Sequence, residues 1–308
     1  MILTICPNPS IDCTIELDSL NVGKLNRIDN KVETYSGKAL NVAIGIGRLN
    51  KKCIATGFMF ENHRHMFEHV LDKEGVIHDF VCNSGDARVN YKIIDKKSML
   101  TEINDRGDNV SREKQLELIE KVKKLSSDCD IVVMSGSLPK GVNPEFYGEV
   151  LSVVPDGVKI IIDAEKSCVL SAVDKSKVFM VKPNLTELEK FSGHTVTDKF
   201  QAVKAVNKYI ELGIRYVLIS LGSEGAILTD GENNFYCKSA NVAVNSTVGA
   251  GDSMVAAASI ALENGDCMEQ LLLSSVAAGT AAVTTSGTNL FYKDKYDEIF
   301  SKIFVEKF

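Results

Sequence analysis

The sequence predicts an α/β protein with a mainly parallel, doubly wound sheet, helices on both faces of that sheet, and a small β-sheet lid. After residue 110, helical patterns alternate with short apolar strand patterns, an alternation typical of parallel sheets. Two segments, about 11–35 and 87–104, instead alternate apolar and polar residues, which predicts half-exposed strands. We found no internal repeat or Pro-rich linker. We therefore expect residues 1–308 to form a single domain, with the two segments inserted as one lid.

Composition excludes several classes of protein. Hydrophobic residues make up 44% of the chain and charged residues 25%, as in ordinary globular proteins. The net charge of −6 argues against nucleic acid or an anionic membrane as a partner. Apolar runs stay shorter than the roughly 18 residues of a membrane span. The N-terminal MILTICPNP lacks the features of a signal peptide. We expect a cytoplasmic protein with small-molecule partners.

Cysteine and histidine spacing does not favour a metal centre. The eight cysteines are scattered without a CxxC pair, so we expect reduced, buried side chains rather than zinc ligands or disulfides. His65 and His69 are four residues apart on a predicted helix, but no HExxH motif accompanies them. These residues therefore carry no functional prediction.

The N-terminal part of the chain combines core strands and lid strands. The apolar run 2–6 predicts a buried strand, and 11–17 alternates with a period of two. The polar turn 95–98 separates two further lid strands, at 88–94 and 99–103, and we expect one small antiparallel sheet. The remaining patterns predict strands at 27–35, 53–58 and 76–82 and helices at 40–49 and 63–73.

The C-terminal part is regular α/β. Apolar residues recur with helical spacing in four segments, and each of four short apolar runs is typical of a buried strand. Helices are predicted at 112–125, 144–153, 185–191 and 200–212, and strands at 131–134, 159–163, 178–181 and 216–220.

The stretch STVGAGDSM, from Ser246, predicts a phosphate cradle that opens into a helix. Gly249, Ala250 and Gly251 allow close backbone approach where the helix begins, and a helix N-terminus carries unpaired N–H groups and a partial positive charge. The helix ends at Asn264-Gly265, a good left-handed cap. Asp252 in the first turn is either a simple helix cap or a chemically active carboxylate.

Two N-terminal motifs contain further candidate ligands. In NPSID, Asp12 follows a turn and either accepts hydrogen bonds from sugar hydroxyls or forms a solvated Asx turn. In SGKALNVA, Gly37 allows close backbone approach, Lys38 offers a point charge to a phosphate, and Asn41 lies in the first helical turn. The alternative for this second motif is a loop that merely starts a helix.

Further candidates lie on a lid strand and at strand ends. ARVNYK places Arg88, Asn90 and Lys92 on one face of a strand. This face is either solvated or contacts a phosphate, because the forked guanidinium of arginine binds phosphate better than any other side chain does. Three loops follow strands of the parallel sheet, where ligand sites of α/β proteins form. They are SGSLPKG with Ser137, KPNLTELE with Lys182, Asn184 and Glu187, and SLGSEGA with Ser220, Gly222 and Gly225.

Taken in order, these motifs resemble those of the ribokinase-like sugar kinases, the phosphofructokinase-B family, over most of the chain. The resemblance implies a ribokinase-like fold, with ATP and Mg²⁺ as cofactors. It also implies that Asp252 is the general base and that Gly249, Ala250 and Gly251 form the anion hole. Glu187, in the NxxE motif, would be linked to Mg²⁺, although it could equally be a first-turn helix charge. The resemblance assigns substrate binding to Asp12, Arg27, Gly37, Lys38, Asn41, Arg88 and Ser137, and nucleotide binding to Lys182, Asn184, Ser220, Gly222, Gly225 and Thr247.

Within the family, ARVNYK and STVGAGDSM resemble the branch of 1-phosphofructokinase and tagatose-6-phosphate kinase. The implied reaction is transfer of the ATP γ-phosphoryl group to a ketohexose phosphate, with fructose 1-phosphate converted to fructose 1,6-bisphosphate. Alternatives are tagatose 6-phosphate as acceptor, a free sugar or nucleoside, or a sugar-phosphate-binding regulator without turnover. Walker A, HRD and DFG motifs are absent, so the P-loop and protein-kinase classes are excluded.

Three further expectations follow. Ser36 and Ala39 replace glycines of the family motif, and a Cβ at a residue with positive φ would cost about 1 kcal/mol or more. Asp252 is expected to have a low pKa, because it lies at a helix N-terminus. An unpaired lid edge would favour a homodimer joined through the lids, as some relatives form.

Overall fold

The computed structural model describes residues 1–97, 99–285, 287 and 289–308. Its strands fall into one large sheet and one small sheet. In chain order the strands are β1 (Ile2–Cys6), β2 (Ser10–Leu17), β3 (Asn30–Ser36), β4 (Cys53–Phe60), β5 (Ile77–His78), β6 (Val81–Asn83), β7 (Arg88–Asp95), β8 (Leu100–Asn104), β9 (Ile131–Ser135), β10 (Lys159–Asp163), β11 (Val178–Val181), β12 (Tyr216–Ser220), β13 (Ala226–Thr229), β14 (Asn234–Cys237) and β15 (Val305–Lys307).

The large sheet has the order β15-β14-β13-β12-β11-β10-β9-β1-β4-β5, with β6 also paired to β4. From β5 to β12 all neighbours are parallel, whereas β13, β14 and β15 form an antiparallel edge. The central strands β1 and β9 are entirely buried, as expected for a sheet covered on both faces. The predicted mainly parallel α/β fold is confirmed.

Helices cover the large sheet in two layers. The helices are α1 (Lys38–Arg48), α2 (Arg64–Lys73), α3 (Arg112–Leu125), α4 (Glu145–Leu151), α5 (Lys166–Lys175), α6 (Leu185–Ser192), α7 (Lys199–Glu211), α8 (Ala250–Asn264), α9 (Met268–Ala282) and α10 (Lys293–Phe300). In one group, α1, α8 and α9 pack together, and α1 and α8 also contact β1 and β9. In a second group, α3, α4 and α5 pack together, and α3 contacts β4 and β6. Among the described helices, none is both long and apolar enough to cross a membrane.

The segments predicted to form the lid make up the small sheet, which we refer to as the lid; its strand order is β3-β2-β7-β8. The two hairpins β2/β3 and β7/β8 are antiparallel, but β2 and β7 pair in parallel, from Ser10 opposite Arg88 to Leu17 opposite Asp95. The prediction of an antiparallel lid was therefore wrong for its central pair. Both strands leave the large sheet after parallel strands, β1 and β6, so they enter the lid in the same direction. Part of the predicted turn 95–98 lies outside the described residues, at Ser98.

Candidate active site

A cleft of about 1140 Å³ lies between the lid and the large sheet. Its walls include the last residue of β10 and residues that follow β11 and β12. These three strands end side by side at the carboxyl edge of the parallel sheet. Small-molecule sites of about 300–1000 Å³ hold one drug-sized ligand. The cleft exceeds this range, and its lining extends from the lid strands β2 and β7 to the turn after β12.

The N-terminus of α8 forms the floor of the cleft. Gly249 precedes the helix at φ 80°, in the left-handed region that favours glycine, and a Cβ there would lie 2.7 Å from Leu290 Cδ2. Within the described chain, no side chain caps this helix start. Its first N–H groups are therefore available to an anion, as the cradle predicted from Gly249, Ala250 and Gly251 requires.

Asp252 lies in the first turn of α8 and is buried. Its Oδ2 accepts a hydrogen bond of 2.7 Å from Asn41 Nδ2, so the alternative of a simple helix cap is wrong. Burial raises the pKa of Asp252 to about 6, although Lys38, Asn41 and Lys182 act in the opposite direction. The expected low pKa was therefore wrong, because the cost of desolvating the carboxylate outweighs the helix N-terminus and its cationic neighbours.

Behind Asp252, a buried carboxylate holds two lysines. Asp163 Oδ1, at the end of β10, lies 3.3 Å from Lys38 Nζ and 3.5 Å from Lys182 Nζ. Burial raises the pKa of Asp163, but the two lysines prevail and hold it below its usual value. In turn, Asp163 raises the pKa of Lys38. Asp163 was missed as a site residue, although its position at the carboxyl end of a central strand was a usable signal.

The lid contributes a polar wall from β2 and β7. Asp12 is buried and accepts a hydrogen bond of 3.0 Å from Asn90 Nδ2, while Lys92 Nζ lies 3.6 Å from its other oxygen. A solvated Asx turn at Asp12 is therefore ruled out. Arg88 also lines the cleft; its Nε is buried and has no hydrogen-bond partner in the described chain. Burial lowers the pKa of this guanidinium.

The glycine replacements in the SGKALNVA motif cause no backbone strain. Asn50 is the one residue other than glycine with positive φ in the described chain, so neither Ser36 nor Ala39 has the conformation that would penalise a Cβ. Gly37, between them, has φ 154° and lines the cleft beside Lys38 and Asn41. The expected strain is thus absent, and the motif keeps its approach to the cleft.

The predicted nucleotide residues also line the cleft. Lys182, Asn184, Ser220, Gly222, Gly225 and Thr247 all line it. At Gly225, with φ 92°, a Cβ would lie 2.0 Å from the carbonyl oxygen of Cys237, so only glycine fits this turn. An apolar wall that the sequence analysis did not identify continues from these residues; it includes Val242, Val244, Val276 and Val283.

Glu187 forms a capping box with Asn184. Asn184 Oδ1 accepts the backbone N–H of Glu187 at 2.8 Å, and Glu187 Oε2 accepts that of Asn184 at 2.9 Å. The alternative that Glu187 is a charged residue of the first helical turn is therefore confirmed. A carboxylate has further lone pairs, so the box does not prevent it from also contacting a cation.

Three predicted ligands, Arg27, Ser137 and Glu187, lie outside the cleft lining. Arg27 is exposed on the loop before β3, and its substrate role stays a prediction. Ser137 is half-buried; its Oγ is buried without a partner in the described chain, but it does not line the cleft. The remaining predicted substrate residues, Asp12, Gly37, Lys38, Asn41 and Arg88, come together there.

Known proteins similar to this chain are carbohydrate kinases. The family described as pfkB family carbohydrate kinase matches residues 8–295. The chain is 31% identical over 306 residues to a tagatose-6-phosphate kinase of Staphylococcus epidermidis, covering 98% of both proteins. It is 33% identical over 282 residues to a 1-phosphofructokinase of Borreliella burgdorferi, covering 91% of both. Phosphofructokinase-2 of Escherichia coli, solved with substrates and products, superposes with a TM-score of 0.90 at 28% identity, covering 98% of each chain.

Proposed function

Because the chain belongs to the pfkB family of carbohydrate kinases, we propose that it transfers the γ-phosphoryl group of ATP to a ketohexose phosphate. The proposed acceptor is fructose 1-phosphate and the product fructose 1,6-bisphosphate. One observation carries the proposal: a buried carboxylate, Asp252, lies in the first turn of a helix whose N-terminus is uncapped, on the floor of a cleft of about 1140 Å³.

In this proposal Asp252 is the general base. It accepts the proton of the acceptor hydroxyl as that oxygen attacks the γ-phosphorus. With a pKa of about 6, about nine-tenths of the carboxylate is ionised at pH 7. A base whose pKa lies near the operating pH combines the correct protonation state with a useful driving force. The burial that overturned the low-pKa expectation therefore suits the proposed role.

The charge on the transferred group would be met by the cradle and by two lysines. The N–H groups at the start of α8 point along a helix dipole that favours negative charge. Lys38 and Lys182 are both anchored on Asp163, which fixes the two ammonium groups at the same side of the floor. Such preorganised donors stabilise phosphoryl transfer, which depends mainly on positioning and electrostatics.

The residues present fit a magnesium ion shared with nucleotide phosphates. Mg²⁺ prefers oxygen ligands and usually takes one or two protein carboxylates together with substrate phosphates and water. The described residues hold no cluster of three acidic, His or Cys ligands, and this mode of binding needs none. Glu187 is the proposed carboxylate. When bound, the ion would neutralise phosphate charge.

A phosphate on the acceptor is supported by Arg88 at the lid end. The guanidinium is half-buried, and its Nε has no hydrogen-bond partner in the described chain. Burying such a donor destabilises the folded protein unless an anion accepts a hydrogen bond from it. A phosphate suits the planar fork of an arginine, whereas a free sugar would leave it unpaired. Tagatose 6-phosphate is the second candidate, since a tagatose-6-phosphate kinase is similar to the chain over 98% of its length.

The test is an assay of ADP release with fructose 1-phosphate, tagatose 6-phosphate and the corresponding free ketoses. We expect kcat/KM for the preferred phosphosugar to exceed that of its free ketose by about 10², since charge-assisted hydrogen bonds contribute about 1.5–3 kcal/mol each. Equal efficiency on free and phosphorylated sugars would overturn the phosphosugar assignment. Sugar-phosphate binding without any turnover would favour the regulator instead.

The proposal includes a homodimer joined through the lids. The lid leaves two edge strands, β3 and β8, and exposes apolar side chains on β8 and on the loop between β2 and β3. Exposed apolar patches and open strand edges are the usual sites of association between chains. The most exposed of these side chains are Val22, Leu25, Leu100 and Ile103.

A further inference from the structure

A buried hydrogen-bond chain links the lid to the floor of the cleft. Ser36 Oγ donates to Asn41 Oδ1 at 3.2 Å, and Asn41 Nδ2 donates to Asp252 Oδ2 at 2.7 Å. All three side chains are nine-tenths or more buried. The chain crosses three elements, because Ser36 ends the lid strand β3, Asn41 lies in α1 and Asp252 in α8.

We propose that Ser36 is a positioning residue, whose hydroxyl orients the amide of Asn41 so that its NH₂ group faces Asp252. The inference deepens the proposed function, because it rests on Asp252 acting as the base. It also gives a role to a side chain that stands where the resembled motif has glycine.

The chemistry of the amide supports this orientation. An asparagine amide has an accepting oxygen and a donating nitrogen, and the two are distinguished by the partners around them. The oxygen of Asn41 faces a hydroxyl that can donate, and its nitrogen faces a carboxylate that, when ionised, only accepts. Without the Ser36 hydroxyl, the buried amide oxygen would lose this partner, and one contact fewer would hold the amide in place.

Other charged groups near Asp252 come from separate elements. Lys38 lies in α1, Asp163 ends β10, and Lys182 follows β11. None of these three is hydrogen-bonded to Ser36 or Asn41 in the described chain. A change at Ser36 would therefore reach Asp252 through Asn41, whose hydrogen bond lowers the pKa of that carboxyl.

The experiment measures the pH dependence of kcat/KM, from pH 5 to 8, with fructose 1-phosphate and with tagatose 6-phosphate, using whichever is turned over. The acidic limb of this profile is the range in which kcat/KM falls as the pH is lowered. For Ser36→Ala, we expect the acidic limb to move to higher pH by about half a unit, which corresponds to about 0.7 kcal/mol. Ser36→Thr, which keeps the hydroxyl, should move the limb less. Ser259→Ala is the matched control, because it deletes another buried hydroxyl, on α8 itself, whose partner is the Val255 carbonyl.

A double-mutant comparison separates positioning from simple packing. In an Asn41→Ala background, Ser36→Ala should leave the acidic limb where Asn41→Ala alone puts it, because the route to Asp252 has been removed. A limb that stays at the wild-type pH in Ser36→Ala, or that shifts equally in both backgrounds, would overturn the inference. Retained turnover in Asp252→Asn would instead contradict the proposed base, so the two failures are distinguishable.

Discussion

Replacing Asp252 by asparagine tests the proposed base most directly. The side chain keeps its shape but loses the ability to accept a proton as a carboxylate. Loss of a general base typically costs about 10²–10⁴ in rate, so we expect kcat to fall by that factor. ATP and sugar phosphate should bind within a few-fold of wild type, as measured by calorimetry. Retention of more than a tenth of the wild-type kcat would refute the mechanism.

The same substitution should stabilise the protein at neutral pH. Burial raises the pKa of Asp252 from the ordinary value of 3.8 to about 6. Because its pKa is raised in the folded state, the contribution of Asp252 to the free energy of unfolding is greatest below pH 4. It is lost as the pH rises through 6, since the carboxyl ionises first in the unfolded chain. Above pH 7 the free energy of unfolding is lower by about 3 kcal/mol on account of this carboxyl, and about half of that loss has already occurred at pH 5.

Denaturant unfolding at the two pH values measures this effect. The stability advantage of Asp252→Asn over wild type should be about 1.5 kcal/mol larger at pH 8 than at pH 5. The control is Asp174→Asn, which changes an exposed aspartate of α5. An advantage of Asp252→Asn that shrinks as the pH rises would contradict the raised pKa. In wild type, kcat/KM should rise with an apparent pKa of about 6.

The remaining predictions concern the phosphate, the metal and the oligomer. Arg88→Ala should reduce the preference for a phosphosugar over the free ketose by about 10-fold or more, with the KM for ATP nearly unchanged; an unaltered ratio in ADP-release assays would exclude Arg88 as a phosphate ligand. Glu187→Gln should raise the Mg²⁺ concentration for half-maximal activity, whereas the melting temperature should hold because glutamine can also complete a capping box. Light scattering should give twice the mass of one chain, and Ile103→Asp on the exposed lid edge should lower it; a monomeric, fully active wild type would count against the lid dimer.

Local patterns in the sequence were sufficient for most of the regular elements. The helix at Arg112–Leu125 and the strands β10, β11 and β12 have the predicted bounds, because their apolar spacing depends on their own residues alone. One missed element, α9, lacked such a signal. The helix α9 is apolar or small on nearly every face and almost wholly buried, so it shows no amphipathic period.

Motif spacing identified much of the candidate site for a similar reason. Asp12, Lys38, Asn41, Arg88 and the residues around Asp252 each lie beside a turn or helix start that the sequence makes visible, and the cleft brings them together. The link to chemistry came from the family resemblance, since each motif alone allowed a purely structural explanation.

The environment of these residues was decided by the tertiary structure. Asn41 and Asp252 are 211 positions apart, and their hydrogen bond exists because α1 and α8 pack side by side. Asp163 acquires its role from two lysines that arrive from α1 and from the end of β11. The pKa of Asp252 follows from burial by all of these segments at once. Desolvation depends on everything that surrounds a charge, so no local stretch of sequence contains it.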